Sequence, residues 1–548
     1  DVAGTSNATV EHTLVRKLTV TTGNTDWSSS AGTNAGNSEW VVKSQDHFYN
    51  LGVFGTGWVG TSSVWSEDSN WDMLAPTTTV NAYINSSASN QVSVSGSASS
   101  ESECNDLTIQ SVASVTIPVD KALTVNGNMS NSGTVTINST SSSTGSLIIK
   151  GTATGDITVE RYIATWGTGT QGWHLLSSPV SSQTFQNEFV PATPTTDEDF
   201  YLWDETTNDW VNSKLGEGTI PSPFTFNSAV FGTEFDLGEG YLVAYNSSPT
   251  KEFTSTPNVA DVPVSLTYTG TSGRKGSNLL GNPFQSAITW NIETWKPSST
   301  INGVAKIISS SDASYIDINA GEVIPAMNGF FVWTSEATSL TIPKTARTHS
   351  ATNWYKTETT KLVLTAVDID NGTAQKSNII INPNASYEFD MLYDGIFTPF
   401  LAPSFYSTID GHGLSTNAIP SIKDNMIIPF DFIKNNGLSF RIDLEGFAEL
   451  NKEVYLLDKQ TGIITDITIT PSYEFLSQEG DDPDRFELHF GVVGIEDQTA
   501  TVSIQSYVHG QQLTVIGNSG NTQLEIVNMQ GQVVLSENIQ LDGRFSKK

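Results

Sequence analysis

Short bursts of alternating apolar and polar residues run along almost the whole chain. TVTIN (134–138), SLIIK (146–150), DITVE (156–160), KLVLTAV (361–367), RIDLEG (441–446) and EVYLLD (453–458) are typical, and clusters of Gly, Asn, Asp, Ser and Pro separate them. A period of two sends alternate side chains to opposite faces of a strand, one toward a core and one toward water. No segment keeps apolar residues at helical spacing over the length of an ordinary helix. The pattern predicts an all-β chain. At 548 residues it exceeds what one core usually serves, so tandem domains are expected.

The most regular tract predicts a small β-solenoid over 65–160. Its strands centre near Ile84, Val94, Ile109, Ile117, Val125, Ile137, Ile149 and Val159, joined by NGN, NSG and STG turns. Each strand can then stack on the next through its inward apolar residue. A β-sandwich is the alternative arrangement of the same strands, and Cys104 in ESECNDLTI reads as a small buried apolar residue. From 161 to 345 the chain repeats itself. WHLLSSPV (173–180) and SNLLGNPF (277–284) share Leu-Leu-x-x-Pro, while GEGYLVAY (238–245) and AMNGFFVWT (326–334) share a Gly followed by an aromatic-rich strand. The shared order predicts a β-sandwich of two related halves, in which Pro283 ends a strand while Phe284 and Trp290 fill a core. Residues 346–493 read as a further β-sandwich and 494–548 as a small Ig-like C-terminal β unit with Gly531 at a hairpin turn. Residues 1–64 form a β segment of unassigned fold, with strands in TLVRKLTV and EWVVK.

Charge narrows the partners. Lys+Arg 26 against Asp+Glu 58 leaves a net charge of −32, which argues against binding a nucleic-acid backbone, because little here could replace phosphate counterions. The single cysteine forms no internal disulfide, and no Cys/His cluster has zinc spacing. The longest apolar runs, such as NIIIN and MIIPFDF, are strand-sized, so no transmembrane helix is expected. The first residues, DVAGTSNATV, lack a basic stretch followed by an apolar one; the Ser/Thr/Asn/Gly-rich, Lys-poor composition leads us to expect an exported chain whose signal peptide has been removed.

Catalytic chemistry is scarce. The seven histidines are scattered, and neither HExxH, GxSxG nor a phosphate-binding Gly-rich loop occurs. His174 and His489 lie within strand patterns, where structural roles are expected. A lyase-like acidic cleft does not suit solenoid turns rich in Ser, Asn and Gly. Two binding sites are expected instead. Asp481, Asp482 and Asp484 in GDDPDRF offer hard oxygen ligands suited to Ca²⁺, the alternative being a solvated turn whose Arg485 pairs with a carboxylate. DIDNG (368–372) is a weaker acidic run, and neither segment fits the EF-hand loop. Trp203 and Trp210 in YLWDETTNDW, with Trp290, Trp295 and Trp333, could stack on sugar rings, the alternative being core packing.

GWHLLSSPV, LGEGYLVAY, NLLGNPFQSAITW, IPAMNGFFV, FDMLYDG, LSTNAIP and DDPDRFELHF resemble recurring signatures of large secreted or cell-surface proteins exported by the type IX secretion system of Bacteroidetes. The end, QQLTVIGNSGNTQLEIVNMQGQVVLSENIQL, is similar to that system's C-terminal sorting domain. It departs in having SIQSYVHGQQ where a Tyr-Pro-Asn-Pro-like turn usually stands, and in stopping at GRFSKK, so an unpaired strand edge that favours association is expected. The resemblance implies an extracellular or outer-surface location and the type IX machinery as a partner. We expect a non-enzymatic structural or adhesive protein, such as a surface-fibre subunit, that associates with itself or other surface proteins and requires no cofactor unless Ca²⁺. The alternative is the carbohydrate-binding portion of a larger secreted glycan-degrading protein.

Overall fold

The structure, a computed structural model, describes residues 1–47, 54–166, 172–216, 224–247, 249–269, 275–295, 297–309, 314–350, 361–446, 452–491, 505–509, 512–528 and 532–547. It is 48% strand and 4% helix, so the chain is all-β as its alternating pattern requires. The helices have three to five residues. At the N-terminus, Thr13–Arg16 pairs with Trp40–Lys43 over a small core of Val2, Ala8 and Ala31. Asp26 caps the one-turn helix Trp27–Ala31 by accepting from the Ser28 and Ser29 amides.

A parallel β-solenoid of about 4 turns follows. One face stacks Gly55–Gly57, Asn81–Ile84, Leu107–Ile109, Met129–Asn131 and Ala153–Thr154. The second stacks Val92–Ser93, Ser114–Ile117, Thr134–Ile137 and Ile157–Tyr162; the third stacks Ser102–Cys104, Ala122–Val125 and Ser146–Ile149. Register explains the sequence pattern. Ile117, Ile137 and Val159 are successive ladder partners, as are Cys104, Val125 and Ile149, so each inward position builds an apolar column. Cys104 is fully buried, and burial pushes its thiol pKa far up, which leaves it inert.

Each end of the solenoid is partly covered. At the first, Trp58, Trp65 and Trp71 are buried, and Trp71 meets each of the others edge-on at 5.0 Å. At the other, Thr250–Ser255 pairs antiparallel with Ile157–Tyr162 along its full length. The added strand covers one face only, because Ala153–Thr154 and Ser146–Ile149 remain the last strands of the other two sheets.

The internal repeat becomes two four-stranded sheets of identical topology. In each, the chain's first strand pairs with its fourth, the fourth with the second, and the second with the third. The strands are His174–Leu176, Glu198–Asp204, Asp209–Asn212 and Tyr241–Tyr245 in one half. They are Ser277–Gly281, Ala305–Ile308, Tyr315–Ile318 and Gly329–Trp333 in the other. The Leu-Leu pair explains itself by strand alternation. Leu175 and Leu279 meet in the seam between the sheets, with Trp203, Leu242, Tyr315 and Phe331. Leu176 and Leu280 face the opposite way, Leu176 into a core continuous with that of the solenoid and Leu280 into the core of its own half.

The halves also exchange equivalent backbone bonds. Ser177 N donates to Met327 O at 3.0 Å, and Gly281 N donates to Gly238 O at 2.8 Å. That approach requires glycine: a Cβ on Gly281 would lie 2.0 Å from Ser177 Oγ and 2.3 Å from Glu239 O. The following turn is held by a fully buried polar residue. Asn282 Oδ1 accepts from Phe284 N at 3.1 Å, while Nδ2 donates to Ser286 O at 3.0 Å and Pro325 O at 2.9 Å. Ser178 plays the corresponding part in the first half, accepting from Val180 N at 3.3 Å. Asn282→Ala would strand these partners in a dry site and is expected to cost about 1–3 kcal/mol. A lowered urea midpoint would show it, with Pro283→Ala causing the smaller fall.

Residues 361–490 form an 11-stranded sheet that rolls over a single core. Its path ends on Ile463–Asp466 and Ser472–Leu476, which are neighbours in sequence. Rolling brings Phe475 of the last strand to 4.9 Å from both Phe432 and Phe486. Two of the quoted signatures form its joint with the preceding sandwich. In FDMLYDG, Met391 O accepts from Asn302 Nδ2 and Gly303 N, both at 2.9 Å, and Asp394 O accepts from Asn302 Nδ2 at 2.7 Å. In LSTNAIP, the Ser415 and Thr416 hydroxyls donate to Asp317, whose other oxygen takes a 2.5 Å bond from Lys306. Burial pushes Asp317 up, but Lys306 and the two hydroxyls outweigh it and hold the carboxyl below the usual range. Its stabilisation is therefore present above the unfolded pKa of about 3.9 and lost as pH falls through the lower folded value.

The C-terminal unit is a three-stranded antiparallel sheet of Gln505–His509, Gln512–Val527 and Val533–Lys547. Gly531 lies outside the described residues.

Candidate functional site

A groove of about 710 Å³ opens on the flank of the solenoid, beside its first end. One wall is the segment that leaves the tryptophan cap, with Trp65, Ser66 and residues 75–78; the other is the turn leading into Ser102–Cys104, and Lys121 contributes from the next rung. Strand alternation sorts the second wall. Ser102 and Cys104 are buried, whereas Glu101 and Glu103 stay partly exposed and line the groove. The walls are tied to each other and to the solenoid. Ser95 Oγ donates to Ser66 Oγ at 3.0 Å, and Ser66 N donates back to Ser95 Oγ at 3.3 Å. Ser102 Oγ accepts from Gly96 N at 3.1 Å, and Ser97 and Ser100 exchange backbone bonds of 3.0 and 3.1 Å. Gly96 is needed for this turn, because a Cβ there would lie 2.1 Å from Ser102 N. Sequence reasoning missed the groove: it joins residues up to 56 positions apart that only the solenoid winding brings together. The available signal was the SGSASSESE run (95–103), dense in hydroxyls with two carboxylates at alternate positions.

The tryptophans expected to form a sugar platform occupy the seam between the half-sandwich sheets. Trp203 is 6% exposed, its indole donates to Ser277 O at 2.7 Å, and Trp210 and Phe331 contact it edge-on at 5.2 and 5.6 Å. Trp210 is half-buried and also meets Phe331. The two rings pack against each other and a phenylalanine, so the geometry takes the core-packing alternative. Trp290 and Trp295 are likewise buried, 5.0 Å apart, and Trp333 donates to Lys275 O at 2.8 Å.

Asp481, Asp482 and Asp484 do not converge. Asp481 accepts from Ser477 Oγ and Gln478 N, Asp482 accepts from Asp484 N, and Asp484 pairs with Lys459 at 2.5 Å. Among the described residues no group of three His, Cys, Asp or Glu side chains is arranged to hold a metal ion. Arg485 turns inward from this loop to Asp458. The histidines are equally dispersed. His349 sits between the hydroxyls of Thr124 and Ser146 at 2.8 Å each, and burial pulls its pKa down to about 4. Burial, with Arg161 nearby, pulls His174 to about 3, and His489 pairs with Glu487 at 2.9 Å.

No helix among the described residues is long and apolar enough to cross a membrane. Comparison with curated proteins and with solved structures finds no match. A family model described as a domain of unknown function, DUF8693, matches residues 57–312 and 300–490. These matches run from the first strand of the solenoid to the last residue of the rolled sheet, so the chain belongs to this family.

Proposed function

We propose that the chain is a non-enzymatic extracellular structural or adhesive protein, carried to the cell surface by a type IX-like route and working through association with itself or other surface proteins. The observation that carries this reading is where the sequence signatures lie. Leu-Leu-x-x-Pro and the Gly-aromatic strands build the seam between the half-sandwiches, while FDMLYDG and LSTNAIP build the joint to the rolled sheet. Such positions couple modules to one another. A catalytic protein would concentrate its distinctive residues around a shared concavity instead. The acidic net charge of −32 suits a soluble exposed surface.

Electron microscopy of the full chain released from the cell surface tests the reading. Regular filaments or sheets, or particles that decorate a surface, are expected. Turnover of a glycan or ester substrate by the purified chain would overturn it.

A further inference from the structure

We propose that the solenoid groove binds neutral polyhydroxylated ligands, specifically oligosaccharide chains, without cleaving them. The proposal rests on the non-enzymatic extracellular reading above. Its volume of about 710 Å³ falls within the range of about 300–1,000 Å³ usual for ligand clefts. Half of its lining residues carry hydroxyls, and of these Ser97, Ser100, Thr77 and Thr78 are partly or fully exposed. A hydroxyl both donates and accepts, which matches a ligand whose own groups are hydroxyls. Glu101 and Glu103 add acceptors for sugar O–H groups, and Lys121 adds a donor at the far side.

Charge selects among glycans. Two carboxylates against one ammonium leave the groove with one net negative charge, within a chain already at −32. Uronic, sulfated or phosphorylated chains would meet repulsion, while neutral chains would not. Geometry argues against cleavage. Hydrolysis of a glycosidic bond needs two carboxyl groups flanking it from opposite sides. Glu101 and Glu103 are alternate residues of one strand edge and approach a ligand from the same side. The hydrogen bonds that fix Ser66, Ser95 and Ser102 hold the walls before a ligand arrives, which lowers the ordering cost of binding.

The test is an array of neutral, amino-sugar and uronic oligosaccharides probed with the full chain, followed by calorimetry on the strongest hits. Neutral chains should bind, and Glu101→Gln with Glu103→Gln should weaken them at least ten-fold without moving the thermal midpoint. Thr77→Arg, at an exposed rim position, should obstruct the groove in the same way. Absence of any array hit, binding confined to uronic chains, or unchanged affinity in both variants would overturn the proposal. Filaments that persist in a chain with no glycan hit would reject the groove alone. Released sugar products would reject the non-enzymatic reading and, with it, the statement that the groove binds without cleaving.

Discussion

Replacing Arg485 with methionine should destabilise the rolled sheet by about 3–5 kcal/mol, the range for breaking a buried ion pair by removing one partner. Arg485 is 2% exposed, and its Nε and Nη2 donate to the Asp458 carboxylate at 3.0 and 2.8 Å. Nη1 donates to Leu476 O at 2.8 Å, and the guanidinium lies 4.5 Å from the Phe475 ring centre. The arginine thus ties Val454–Asp458 and Asp484–Phe490 to the far end of the same sheet, at Ser472–Leu476. Its removal leaves a buried carboxylate without its counter-charge, held only by neutral donors: the Tyr473 hydroxyl at 2.9 Å and the Gln460 backbone amide at 3.0 Å. A urea titration followed by tyrosine and tryptophan emission would measure the loss. The paired change Arg485→Met with Asp458→Leu should recover much of it, because the stranded charge goes too. A fall below about 1 kcal/mol, typical of an exposed pair, would show that the pair does not close the sheet.

Trp203→Ala should cost a similar amount, about 3–5 kcal/mol, as large-to-small changes of buried aromatics do. The indole supplies a hydrogen bond to Ser277 O across the seam as well as two edge-on aromatic contacts. Trp210→Ala should cost clearly less, because that ring is half-buried. Denaturation curves for the two variants would decide between a seam and a platform. If both left stability unchanged while abolishing sugar binding, Trp203 and Trp210 would be a ligand surface after all.

Legibility followed distance along the chain. Ile117, Ile137 and Val159 were visible as strand centres because alternation is local, and a parallel register needs only that the same pattern recur. The duplicated Leu-Leu-x-x-Pro segments were visible as a repeat, and the two sheets share one topology. The chemistry was less legible. Asp481, Asp482 and Asp484 are adjacent in sequence, yet each carboxylate takes a different protein donor, and the arginine beside them serves a carboxylate 27 residues away. Trp203 and Trp210 face each other across a hairpin as expected for a pair, but the other half-sandwich covers them.

From the sequence alone came the all-β class, the winding of the solenoid and the duplication of the sandwich, since each depends on side-chain periodicity that neighbouring residues impose on a strand. Only the tertiary structure decided which apolar faces became seams, which buried charges found partners and where a polar groove stayed open. Those outcomes depend on contacts between residues far apart in the chain, and strand alternation says which way a side chain points without saying what it meets.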